Sequence, residues 1–164
     1  MRRFLLTLAL PAVLLCSCGS VSTQPETMPE CYTADVEISD NGREFTAMLT
    51  RSKDGWEYEF TEPESIKGLK LSQSADSFTA ELEKVKMTDE LSKLGSSSPV
   101  KLIVETLDIC RSGKGVTAEI KDGKTVNKGV VEGADFCVTF DDSLPCSMEI
   151  GGEIAVVFKN VCAE

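Results

Sequence analysis

Cysteines are the residues of this sequence with the most chemical potential: seven are present, and no histidine accompanies them. A cysteine nucleophile needs a base to take its proton, and histidine is the usual one. None of the cysteines is spaced as Cys-x-x-Cys, which would indicate a redox dithiol or a zinc ribbon. The sequence therefore favours a non-enzymatic protein without a cofactor, and no catalytic, cofactor-binding or metal-ligating residue is nominated.

A short run, Asp122-Gly123-Lys124-Thr125, ends like a phosphate-binding loop. That motif needs a glycine five residues before Gly123, and Ala118 stands there. Residues 116–121 and 124–131 have the composition of two strands, so the run is interpreted as a hairpin turn.

Cys18 differs from the other cysteines in what precedes it. Residues 1–17 begin with Met-Arg-Arg and continue with an apolar run from Phe4 to Leu15, which is typical of an export signal. The run is too short to span the ~30 Å hydrocarbon core of a bilayer. Leu15-Cys16-Ser17-Cys18 resembles the bacterial lipobox, and Cys18 takes the position of its lipidated cysteine. Cys16 fits less well, because Leu15 stands where a small residue is needed.

Lipidation of Cys18 would anchor the chain, through palmitate or similar acyl groups, to the extracytoplasmic face of the cell membrane. Each buried CH₂ contributes ~0.8 kcal/mol, so two acyl chains are enough for stable anchoring. An outer-membrane location stays open. The alternative is a plain secretory signal in which the cysteines stand by chance.

The charge of the chain disfavours nucleic-acid binding. Formal net charge is −10, and removal of residues 1–17 takes away two arginines and no acid, which leaves −12. Such a chain repels phosphate polymers. It suits a soluble domain or a cationic partner.

Residues 18–30 are expected to be the lipidated cysteine and a flexible tether, because they are small, polar and contain proline. A flexible segment of this length reaches roughly 20 Å. Residues 31–164 are then a single domain, since the chain is long enough for one domain and not for two.

The domain is predicted to be mainly β, with one or two helices. Apolar and polar residues alternate in roughly ten or eleven short runs, as in Tyr32–Ile38, Phe45–Leu49 and Trp56–Phe60, which is typical of antiparallel strands with one wet face. Asp40-Asn41-Gly42 and Lys53-Asp54-Gly55 supply hairpin turns between them.

Pro99–Arg111 breaks this period and predicts a helix. Its polar residues Lys101, Glu105 and Asp108 share one helical face, and the rest of the circumference is apolar, so the helix should be buried against the concave face of the sheet. Ser98 is the expected N-cap. A central strand, Val100–Leu107, is the alternative; Met87–Leu94 is left open as a short helix or a loop.

Several features together resemble a known family: the lipobox, the meander of strands, Trp56-Glu-Tyr-Glu-Phe60, Pro63, Gly68–Leu71, the mid-chain helix and a closing hairpin, Phe136 to Phe158, that contains Leu144-Pro145. The chain resembles half-barrel lipoproteins of the outer-membrane lipoprotein carrier superfamily. The resemblance implies a curved antiparallel sheet, a half-barrel, with the apolar helix on its concave face, and a lipid or other apolar ligand held there. The candidate ligand-facing residues are Trp56, Tyr58, Phe60, Leu102, Ile103 and Leu107.

Two functions follow from these expectations. The first is a membrane-anchored, monomeric protein that binds an apolar ligand between helix and sheet. The second is an envelope protein–protein interaction module with a filled core and no small-molecule ligand. A cavity between helix and sheet would distinguish them.

Cys137 and Cys146 are expected not to form a disulfide. Matching the apolar faces of their strands places Phe140 opposite Leu144 and Val138 opposite Cys146. Opposed residues point to the same side of a sheet, so the two sulfurs would lie on opposite faces.

Changing Cys18 to alanine tests the lipid anchor. The Cys18→Ala protein is expected to be released from the membrane or left unprocessed, because it lacks the thiol that carries the lipid. Metabolic labelling with a radioactive fatty acid measures this directly. Label appearing on the Cys18→Ala protein would contradict the assignment, and Cys16→Ala serves as the matched control that keeps the label if the signal is cleaved before Cys18.

Overall fold

A computed structural model of the protein describes residues 21–74, 76–95 and 98–163. Cys18 and the expected signal segment lie outside these residues. The described residues form twelve strands: Val21–Thr23 (β1), Tyr32–Asp40 (β2), Arg43–Ser52 (β3), Gly55–Glu62 (β4), Lys70–Ser74 (β5), Ser77–Leu82 (β6), Val85–Glu90 (β7), Thr117–Lys121 (β8), Lys124–Val131 (β9), Ala134–Asp141 (β10), Leu144–Ile150 (β11) and Ile154–Ala163 (β12). An α-helix, Pro99–Ser112 (α1), lies between β7 and β8, and Glu64–Ile66 and Leu91–Lys93 form short 3₁₀ turns.

The strands form one antiparallel sheet in the order β1-β8-β9-β10-β11-β12-β2-β3-β4-β5-β6-β7. Pairing of the last strand with the second strand joins the two halves of the chain, with Val156 opposite Ile38 and Phe158 opposite Val36. The edges β1 and β7 are not paired with each other, so the sheet is curved and unclosed. The predicted fold class, a half-barrel with a helix, is confirmed.

Turn residues close the hairpins as the sequence indicated. Asn41 and Gly42 both have positive φ, at 49° and 79°, which a two-residue turn of this kind requires. Asp122 and Gly123 repeat this geometry, at 52° and 80°. The phosphate-loop-like run is therefore the β8–β9 hairpin turn.

The predicted helix is confirmed, and the alternative of a central strand is wrong. Gly113 ends α1 in the left-handed conformation, φ 65°, and its N–H donates to the carbonyls of Ile109 and Cys110. Only glycine adopts this conformation without a steric cost from Cβ. Ser98 stands at the N-cap position, but its hydroxyl makes no capping hydrogen bond. Met87–Leu94, for which the sequence allows a short helix or a loop, is the end of β7 followed by a 3₁₀ turn.

The apolar circumference of α1 packs into the sheet. Its buried residues are Val100, Leu102, Ile103, Val104, Thr106, Leu107 and Cys110. The polar stripe is tied to the sheet by ion pairs: Lys101 with Glu132, and Asp108 with Arg51. The helix is therefore held both by burial and at its polar edge.

The predicted flexible tether is wrong for residues 21–30. Val21–Thr23 is strand β1 and pairs with β8, Val21 opposite Ile120. The Asn127 side chain clamps the backbone of Glu26, donating to its carbonyl at 2.7 Å and accepting from its N–H at 3.1 Å. Met28 is only 5% exposed and belongs to the core. Tertiary contacts thus order a segment whose composition alone indicates flexibility.

The expected register of the last hairpin is also wrong. Phe140 lies opposite Pro145 and Val138 opposite Met148, because a β-bulge shifts the pairing after Thr139. The Cys146 sulfur lies 4.0 Å from Lys124 Nζ, on the convex side of the sheet that Cys137 also faces. Both thiols are free. They lie on the same face of the sheet but are separated along the strands, because the residue opposite Cys137 is Glu149 and not Cys146.

Truncation of Leu107 tests the packing of the helix. Leu107 is 3% exposed, so Leu107→Ala is expected to lower the free energy of unfolding by about 2–5 kcal/mol through lost burial and a cavity. Urea denaturation measures the change. Arg111→Ala is the matched control one turn later, and its exposed ion pair should contribute less than about 1 kcal/mol. Equal effects of the two substitutions would contradict the buried position of Leu107.

Asn127 tests the order of the N-terminal segment. Asn127→Ala removes both hydrogen bonds to Glu26, and we expect it to lower the free energy of unfolding by about 1–3 kcal/mol. We also expect faster cleavage after Glu26 by a glutamate-specific protease. Lys128→Ala, the next position on the opposite face, is the control. Unchanged cleavage in Asn127→Ala would show that this side chain does not hold the segment.

Candidate functional site

The six candidate ligand-facing residues come together in one core. Trp56, Tyr58 and Phe60 are 4%, 0% and 5% exposed. The rings of Trp56 and Tyr58 meet edge to face with their centroids 5.3 Å apart, and the ring of Tyr58 stacks on that of Phe60 with a centroid distance of 6.2 Å. Leu102, Ile103 and Leu107 of α1 belong to the same cluster. Here helix and sheet pack against each other, so a ligand between them would have to displace packed side chains.

Beyond the helix, the same face of the sheet stays largely apolar and becomes exposed toward its edge at β7. Opposed residues share a face, and the register carries the row of Tyr58 through Leu71 and Ala80 to Met87. A neighbouring row ends in Leu82 and Val85. Val85 is 73% exposed and Met87 53%. We name this surface the apolar arm: the inner-face residues Leu71, Phe78, Ala80, Leu82, Val85 and Met87 of β5–β7.

The convex side of the same strands is charged and polar. Lys70 Nζ lies 3.0 Å from Glu59 and 3.8 Å from Glu57, and Lys86 pairs with Glu81 at 3.7 Å. These three strands are thus mainly apolar on one face, where Gln73 and Asp89 are the polar neighbours of Phe78, and polar on the other. No helix of the described residues covers the end of the apolar face at Val85 and Met87. An exposed apolar surface of this kind marks an interaction or ligand site more often than chance.

A polar cleft of about 560 Å³ adjoins the apolar arm at the end of β3–β5. We name it the Arg51 cleft; its wall includes Arg51, Lys53, Asp54, Trp56, Gln73 and Asp108. Gly55 also lines it, and a Cβ there would stand 1.8 Å from the Gln73 carbonyl. Glycine at this position therefore permits the close approach of β4 and β5 that forms the base of the cleft.

Four buried polar atoms have no hydrogen-bond partner among the described residues: Arg51 Nε, Trp56 Nε1, Tyr58 Oη and Thr106 Oγ1. The first two belong to residues that line the cleft, and the other two belong to residues of the core. Each such group costs roughly 1–3 kcal/mol relative to a satisfied one, and native proteins contain few of them. Burial, followed by the neighbouring Tyr32, raises the pKa of Tyr58 well above its usual value, so its hydroxyl stays protonated. The cluster is thus rich in unused donors.

Arg51 is central to the cleft. It stands opposite Trp56 on the paired strand, and its guanidinium Nη2 lies 3.3 Å from Asp108 Oδ1. Asp108 is shared with Arg111, whose Nη2 lies at 3.4 Å. Sequence reasoning did not single out Arg51, and its position opposite the only tryptophan was the available signal.

Sequence reasoning also overlooked a spacing of catalytic type, Ser98-x-x-Lys101, at the start of α1. Serine acyl-transfer sites use this spacing with the lysine close to the serine hydroxyl. Here Lys101 Nζ lies 3.5 Å from Glu105 and 3.6 Å from Glu132. Two carboxylates hold the ammonium group, so the lysine serves an ion-pair network that fixes the helix.

Another cleft, of about 740 Å³, lies across β8–β11. Thr117, Lys128, Cys137 and Glu149 form one row of its wall. Burial, and after it the negative charge of Glu149, raises the pKa of Cys137. Burial likewise raises the pKa of Cys110 to about 11. Both thiols stay protonated at neutral pH, which disfavours nucleophilic chemistry.

Within residues 21–74, 76–95 and 98–163, no helix is long and apolar enough to cross a bilayer. In the same part of the chain, no three Cys, Asp or Glu side chains converge as a metal-ligand set would.

Comparisons with known proteins concern the fold. No family model matches the chain, and no curated protein does. The chain is similar to a LolA superfamily protein from Nitrosomonas europaea, with 12% identity and a TM-score of 0.43 over 85% of this chain and 89% of that one. It is similar to the lipoprotein LppX of Mycobacterium tuberculosis, with 13% identity and a TM-score of 0.41 over 79% and 85%. It is also similar to a DUF1329 family protein from Desulfovibrio piger, with 11% identity and a TM-score of 0.43 over 84% of this chain and 87% of that one.

Proposed function

We propose that the protein is a membrane-anchored, extracytoplasmic lipoprotein, held by a lipid on Cys18, that binds an apolar ligand on the apolar arm. The observation that carries the proposal is the exposure of Val85 and Met87, 73% and 53%, on a sheet face that is elsewhere buried under α1. Burial of such side chains by a ligand is favourable at about 25 cal/mol per Å². The protein acts by binding, as a monomer, and no step of catalysis is assigned to it.

The site proposed here differs from the one expected between helix and sheet. Ile103 and Tyr58 are fully buried there, and their packing supports the filled core of the alternative function in that region. The apolar arm lies beside it on the same face, and its exposed end at Val85 and Met87 needs no side chain to move. A ligand there replaces water and not protein.

An envelope protein–protein interaction module is the second candidate, and one observation favours it. Strand β7 is an edge of the sheet, so its outer row of N–H and C=O groups has no strand partner among the described residues. An extended segment of another protein could add to such an edge. Saturable binding of a small acyl probe to the purified protein separates the two candidates.

Val85 and Met87 test the ligand site. A chain that begins at Gly19 contains every described element, and its binding of cis-parinaric acid can be followed by energy transfer from Trp56. We expect Val85→Ser with Met87→Ser to weaken binding about tenfold or more, because two apolar contacts are lost. Val130→Ser with Val157→Ser is the matched control, since these exposed valines, at 56% and 43%, belong to other strands. Absence of saturable binding to the unmodified chain would refute the proposal and favour the interaction module.

A further inference from the structure

We infer that the Arg51 cleft binds the anionic headgroup, a carboxylate or phosphate, of an amphiphile whose acyl chain lies on the apolar arm. This inference rests on the proposed function and specifies the class of its ligand. It depends on three observations: unused donors beside the cleft, the local balance of charge, and the continuity of the cleft with the arm.

The unused donors belong to Arg51 and Trp56. Arg51 Nε and Trp56 Nε1 are buried N–H groups without a partner among the described residues, and both residues line the cleft. Neither group can accept a hydrogen bond. The two residues stand opposite each other on paired strands, so a single acceptor group in the cleft could use both once the two buried side chains turn their N–H groups toward it. Carboxylate and phosphate oxygens are the acceptors that a guanidinium binds best.

The local charge favours an anion, although the chain as a whole carries −10. Cationic groups at the cleft are Arg51 and Lys53, with Arg111 beside them through Asp108. Acidic groups are Asp54 and Asp108. Asp108 is already shared by two arginines. Three cationic groups therefore face two acidic groups, and a ligand anion would meet a net charge of one positive unit.

Continuity with the arm identifies an amphiphile rather than a free anion. Gln73 of the cleft lies opposite Trp56 on one side and opposite Phe78 of the arm on the other. From Phe78 the apolar surface runs along β6 to Leu82, ~13 Å at ~3.3 Å per residue. A headgroup at Arg51 therefore places the first carbons of its chain over Leu71 and Phe78, with the rest directed toward Val85.

Emission from Trp56 reports occupancy of the cleft, because the chain has one tryptophan and that tryptophan lines it. The probes are oleate, 1-oleoyl-lysophosphatidate, uncharged monoolein, and acetate or inorganic phosphate without an acyl chain. We expect the two charged amphiphiles to bind about tenfold more tightly than monoolein. We expect the small anions to bind weakly or not at all.

Arg51→Gln provides the decisive variant. This variant should weaken the binding of oleate about tenfold and leave the binding of monoolein unchanged. Arg43→Gln, the same change at the other end of β3, should affect the binding of neither probe. Lys53→Gln, at an exposed turn position, should weaken oleate severalfold and serves if Arg51→Gln does not fold by circular dichroism. Equal binding of oleate and monoolein, with equal effects of the variants, would overturn the headgroup site and leave the proposed function standing. If none of the amphiphiles binds, the proposed function itself is refuted. If the small anions bind as tightly as oleate, the inference that the ligand carries an acyl chain is overturned.

Discussion

The fit of one short helix into a wide curved sheet is the constraint on which the rest of the structure depends. Helix α1 has fourteen residues, which makes it ~21 Å long at 1.5 Å per residue. Twelve strands spaced ~4.8 Å apart extend over ~53 Å across the sheet. A single helix cannot cover that width. The strands under it form the packed core together with Met28 of the N-terminal segment, and the inner face toward β7 is left to solvent or to a ligand.

The consequence is a sharp division of one sheet face into two environments. Tyr58 and Met87 belong to the same row across β4–β7, yet Tyr58 is fully buried and Met87 is 53% exposed. The Arg51 cleft lies near this boundary, where Arg51 reaches the helix through Asp108. Polar groups at such a boundary are shielded from water without being fully paired. This explains why two unpartnered donors, Arg51 Nε and Trp56 Nε1, lie there.

Local pattern was enough to predict the strands, the hairpin turns and the helix. The alternation around Val36 and the turn at Asn41-Gly42 each specify structure over a few residues, and tertiary contacts only reinforce them. The stripe of Lys101, Glu105 and Asp108 likewise reveals α1 from one turn to the next. These elements are where local propensity and the global fold agree.

The errors came where a distant residue decides the outcome. Order at Glu26 depends on Asn127, which is 101 residues away, and no composition rule contains that contact. The bulge beside Pro145 shifts the register by one residue. Proline cannot donate a hydrogen bond to the neighbouring strand and is found at such irregularities. The predicted register relied on matching the apolar faces of the two strands and did not take this proline into account. Burial of Trp56, and exposure of Val85 despite its similar apolar pattern, depend on where α1 lies, which periodicity does not specify.

The ordered N-terminal segment changes how a lipid on Cys18 would present the domain. Only Gly19 and Ser20 stand between Cys18 and β1, so the Cα atoms of Cys18 and Val21 are at most ~11 Å apart, at ~3.6 Å per residue. A flexible tether of residues 19–30 would instead have let the domain diffuse within roughly 20 Å. Val21 pairs with Ile120 of β8, close to the β8–β9 turn. A lipid on Cys18 would therefore hold the β8–β9 hairpin at the membrane surface. The apolar arm ends at β7, at the opposite end of the strand order, so a ligand on the arm and a lipid on Cys18 would lie at the two different edges of one unclosed sheet.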